Sequence, residues 1–123
     1  MSTNRRFSRR IASALLLSVA LAGGVSAQTV TAADLLQRVE SARSSADYEA
    51  LATYYDQQAA ASRGIAAEHR KMVKSYQGMI AGGRGAASMP AHCNAIATKN
   101  DGLAKDYEAM AGAYRQMAKQ AKP

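Results

Sequence analysis

The sequence predicts an all-α fold: a long antiparallel helical hairpin behind a short leading helix. Three observations carry that expectation. Apolar residues recur in steps of three and four over long stretches, and no stretch alternates in twos as a strand would. A glycine-rich segment, Gly82-Gly83-Arg84-Gly85, separates the two longest stretches. Residues 47–59 (DYEALATYYDQQA) return at 106–118 as DYEAMAGAYRQMA, agreeing at 8 of 13 positions. If two copies of one motif pack antiparallel, facing residue numbers total about 165, which puts the fold-back near the paired glycines.

Residues 1–27 read as a cleaved secretory signal. Arg5, Arg6, Arg9 and Arg10 form a basic start, and Ile11 to Ala22 is an apolar run too short to span a bilayer. Val25-Ser26-Ala27 then supplies small residues at the cleavage positions. The expected destination is the periplasm or the exterior. Ser8-Arg9-Arg10 partly resembles a twin-arginine signal, but the apolar run favours the general secretory route, and the choice stays open.

Without the signal, the formal charge of +7 falls to about +3, because 12 Lys and Arg remain against 9 Asp and Glu. The basic residues are interspersed with acids, which argues against nucleic acid as a partner. No apolar run of membrane-spanning length remains. The only Phe leaves with the signal and there is no Trp, so alanine must line much of a small core.

Residues 28–45 are expected to hold a short helix and a linker. Thr31-Ala32-Ala33-Asp34 reads as a helix start, and Arg43-Ser44-Ser45 breaks the pattern, with either serine able to cap the next helix. Residues 46–81 form the first long helix. Leu51, Tyr55, Gln58, Ser62, Ile65, His69, Met72, Tyr76 and Met79 mark its predicted inner face. Residues 82–88 are the turn. Pro90 suits the first turn of a second helix, over 89–120, whose predicted apolar row is Met89, Ile96, Leu103, Met110 and Met117, flanked by Cys93, Tyr107 and Tyr114. Asn100-Asp101-Gly102 predicts a kink within it. A single hairpin covers its seam on one side only, so pairing of two chains into a four-helix bundle is a further expectation.

One group of residues carries candidate chemistry. His69 and Met72 stand three apart on the first helix, and Met89, His92 and Cys93 open the second. With facing numbers totalling 165–171, Met72 and Met79 approach Cys93 and His92, and His69 lies about a turn further down. Thiolate, thioether and imidazole are soft donors, the set that selects Cu(I), whereas zinc has little use for Met. The candidate metal ligands are therefore Cys93, His92, Met89, Met72 and His69, with copper(I) as the matching ion.

A plainer reading stands beside this one. Met at helical spacing is ordinarily core filling, and a seam His is ordinarily a packing residue. Cys93, the only cysteine, is then a small apolar residue, a redox thiol, or a bridge in a homodimer. On that reading the chain is a metal-free interaction module of the cell envelope, acting on itself or on an envelope protein. Catalysis has no footing in the sequence, which offers no C-x-x-C, no phosphate loop after a strand and no converging carboxylates.

Glu68-His69-Arg70-Lys71-Met72 and Met89-Pro90-Ala91-His92-Cys93 resemble the E-H-R-x-M and M-x-x-H-C segments of small, uncharacterised, exported Ala-rich proteins of Gram-negative bacteria. The likeness covers residues 47–118. It implies an exported helical hairpin and says nothing of activity.

Overall fold

The computed structural model describes residues 31–121; the expected signal at 1–27 lies outside the described residues. Among the described residues there are three helices and no strand: α1 (Ala32–Ser41), α2 (Ser45–Ala81) and α3 (Met89–Gln120). α2 and α3 pack on each other as a hairpin, and α1 makes a much thinner contact with α2.

The helix ends follow from local hydrogen bonding. Thr31 caps α1 and Ser44 caps α2, each through a reciprocal box: the hydroxyl accepts from the backbone N–H of Asp34 or Asp47, and that aspartate accepts from the cap's own N–H. These bonds hold both aspartates below their ordinary pKa of 3.8; the Thr31 hydroxyl leads at Asp34, and the Ser44 and Arg43 backbone N–H groups lead at Asp47. α2 ends in a Schellman turn, with Gly83 N–H donating to Ile80 O at 3.0 Å and Arg84 N–H to Met79 O at 2.8 Å. That closure needs the left-handed backbone of Gly83 (φ 73°), and Gly85 (φ 90°) repeats it. α3 starts on Ser88 with proline in its first turn and no side-chain cap.

The ion pairs between the long helices set the register. Arg115 pairs with Asp56, Arg63 with Glu108 and Arg70 with Asp101. The numbers of each pair total 171, at the upper end of the expected range and not at 165. The turn is wider than the paired glycines alone require, because the chain runs on through Ser88 before α3 begins. Asp56 and Arg115 hold equivalent places in the internal repeat, and residues 53–59 of one copy face 112–118 of the other.

Two sequence expectations are corrected. The buried line of α2 runs through Ala52, Ala59, Ala66 and Val73, and that of α3 through Cys93, Ala97, Ala104, Ala111 and Ala118. The larger row assigned to the core of α3 is turned outward: Ile96, Leu103, Met110 and Met117 are 38–42% exposed, and Ile65 of α2 is 46% exposed. The other predicted row of α2 stays inward, with Ser62 5% exposed and Tyr55, His69 and Tyr76 half-buried. Only the row through Ile65, like that through Leu103 on α3, gives way to alanines one residue further along. Alanine at every seventh position lets two backbones approach over about 32 Å, and bulkier side chains at those positions would hold them apart. Second, α3 runs unbroken through Asn100-Asp101-Gly102. Asn100 Nδ2 donates to Ile96 O at 3.0 Å, and the Asp101 carboxylate is tied to Arg70 of α2. Gly102 lies on the exposed outer face, where its missing side chain leaves no hole.

Candidate functional site

With the register known, the two flanks of the hairpin differ in kind. One flank carries the three Arg–carboxylate pairs. The other carries the displaced apolar rows, whose facing numbers total 168: Leu51 with Met117, Gln58 with Met110, Ile65 with Leu103, Met72 with Ile96, Met79 with Met89. Of the eight exposed large apolar residues among the described ones, six (Ile65, Met79, Ile96, Leu103, Met110 and Met117) belong to this flank, and the other two, Leu36 and Val39, are on α1. What remained illegible was therefore a surface. The alanine heptads at 52, 59, 66 and at 97, 104, 111, 118 were the signal that would have found it.

At the open end α1 lies over this flank. Val39, Tyr48, Met110, Tyr114 and Met117 line a cavity of about 310 Å³ there. Leu51, at the same end, is buried to 2%. Four seam tyrosines fill the same region: the Tyr55 ring stacks on Tyr114 at 5.6 Å and tilts against Tyr107 at 6.0 Å, and Tyr48 stacks on Tyr114 at 6.5 Å. Burial, then the neighbouring Tyr114, Tyr54 and Tyr107, raise the pKa of the Tyr55 phenol above its ordinary 10.0. This end is aromatic packing.

The turn end holds the candidate donors. Met89, His92 and Cys93 occupy adjoining positions on one arc of α3. Cys93 (4% exposed) is in the seam, Met89 is half-buried beside it and His92 is exposed at the outer edge. Met79 of α2 is level with Met89, and its side chain lies under the turn: a Cβ built on Gly85 would stand 3.6 Å from Met79 Cβ. Met72 is level with Ile96, about 4.5 Å along the axis from Cys93. His69 is level with Asn100, about 11 Å from Cys93 along the axis.

The fold thus gathers Cys93, His92, Met89 and Met79, sets Met72 below them, and leaves His69 apart. The buried Nδ1 of His69 has no hydrogen-bond partner, the only such side-chain atom found among the described residues. Among the described residues no three His, Cys, Asp or Glu side chains converge. The donors at the turn are one thiol, one imidazole and thioethers, a set suited to a soft ion and poorly suited to a hard one.

Fold and site together define a class: an alanine-seamed antiparallel hairpin with one ion-paired flank, one apolar flank and a sulfur-rich turn. The chain matches no protein-family model, no curated protein and no solved structure.

Proposed function

We propose that this is an exported protein of the bacterial envelope that holds a soft metal ion, Cu(I), at the turn end of its hairpin. The observation that supports this reading is the shared arc of Met89, His92 and Cys93 with Met79 facing it. Cys93 would supply a thiolate, Met89 and Met79 thioethers and His92 an imidazole, with Met72 next in reach. Because Cys93 stands between the helices, binding there would tie the turn end together and couple metal to helix packing. The role is metal handling without catalysis.

Anaerobic titration with Cu(I) against a chromogenic competing chelator tests it. Wild-type protein is expected to take one equivalent, and Cys93→Ser to lose at least about a hundredfold in affinity, with Met89→Leu and His92→Ala losing less. Equal stoichiometry and affinity for wild type and Cys93→Ser would end the proposal.

The apolar flank favours a second reading, a metal-free docking module of the envelope. On that reading substitutions along the flank change association, and His92→Ala changes nothing. A Cys93-linked dimer is the weaker form of it, since a thiol 4% exposed in the seam meets another chain only if the helices part.

A further inference from the structure

From the apolar flank we infer that its turn-proximal half is the docking face for a second copy of the chain, seated with the two turns side by side. The inference rests on the docking reading and names its partner; it is independent of metal.

The face is continuous and one-sided. Ile65, Met79, Ile96 and Leu103 are 38–46% exposed, with Met72 and Met89 half-buried between them. Together they present on the order of 400 Å² of apolar side chain, within the range of the largest patches on monomeric proteins. The chain's own α1 does not cover it. Its 10 residues span about 15 Å, and they are already committed to the open end beside Met110 and Met117. A second hairpin has the required length, and with its rim residues the covered face rises to about 600–800 Å² a side. That area lies between the weak, transient interfaces and the standard size of about 800 Å² a side.

The rim selects the arrangement. When a two-fold axis runs along the hairpin, α2 of one copy faces α3 of the other, and residues at equal height meet. The rim of α2 then sets Glu68 against Lys99 of the second copy and Ser75 against His92. Opposite charges meet and no like charges oppose. Glu68 and Lys99 are both exposed, and Glu68 has only its own-helix neighbour Lys71, at 3.0 Å. Face-to-face packing of two such hairpins completes a four-helix bundle whose centre holds the apolar rows of both.

The test is sedimentation of the protein purified from an exporting host, with reductant and a Cu(I) chelator present so that metal plays no part. From about 5 to about 200 µM the mass should rise from one chain to two. Leu103→Glu removes no seam residue and should keep its helical circular dichroism, while weakening the dimer at least about a hundredfold. For the arrangement, Cys93→Ser protein carrying Glu68→Cys is mixed with Cys93→Ser protein carrying Lys99→Cys and oxidised without reductant; mixed disulfides should exceed either homodimer severalfold. A monomer at the highest concentration, a Leu103→Glu dimer as tight as wild type, or homodimeric disulfides in excess would each overturn the inference. None of these outcomes touches Cu(I) binding, which is read by the titration above.

Discussion

Arg70 of α2 donates to Asp101 of α3, 31 residues away, through both terminal guanidinium nitrogens. The pair closes the two helices in the turn-proximal half of the hairpin, and it lies at the residues where the sequence alone suggested a break. Its side chains are 54% and 38% exposed, so solvent screens it. A double-mutant cycle of Arg70→Ala and Asp101→Ala should give a coupling of about 0.2–1 kcal/mol that shrinks in high salt. Its value lies in register more than in stability. A coupling of several kcal/mol would show that the pair is screened far less than its exposure implies.

Ala66 is fully buried where the helices come together, and its neighbour Ile65 is 46% exposed. Ala66→Leu should therefore cost about 1–3 kcal/mol by forcing the helices apart. Ile65→Ala should cost under about 1 kcal/mol when measured at concentrations where the chain is monomeric. Thermal melts followed by circular dichroism compare the two. The opposite ranking would put the wrong row in the seam.

The depressed pKa of Asp47 makes the start of α2 acid-sensitive. A carboxyl whose folded pKa lies below its unfolded value stabilises the fold above the unfolded value, and that contribution is lost as pH falls through the folded one. Helicity should be insensitive to this group above about pH 4 and decline below the ordinary value of 3.8. Asp47→Asn should lower stability at pH 7 and flatten the acid limb of the profile. An acid limb unchanged in Asp47→Asn would remove the capping box as its cause.

Cys93 is 4% exposed between two long helices. In metal-free native protein a thiol reagent should modify it at least about tenfold more slowly than in denatured protein, because reaction waits on local opening of the turn end. Gly83→Ala should accelerate modification, since a side chain at φ 73° strains the turn that closes that end. Native and denatured rates that agree would mean that the turn end is open in solution.

The sequence was most legible where the chemistry is local. Thr31, Ser44 and the glycines at 82–83 were readable as caps and turn because each acts on backbone groups within a few residues. The helix end at 81 followed from the glycines and the start at 89 from Pro90. The repeat at 47–59 and 106–118 was readable as two like helices that could pack antiparallel, although the exact register was not. The candidate site was readable in part: Met89, His92 and Cys93 are neighbours along one helix, whereas the levels of Met72, Met79 and His69 depend on a register that no local pattern sets.

Cap chemistry and periodicity, then, determined by themselves that this chain makes two long helices joined by a glycine turn. Only the packed pair decided which of two adjacent rows turns inward. The larger row, with Leu103 and Met110, looked like the core because burial of a large side chain stabilises more than burial of alanine. The alanine row won because small residues let both backbones close together along their whole length. That choice turned the larger residues outward into a face, and left Cys93 at the end of the seam beside the methionines.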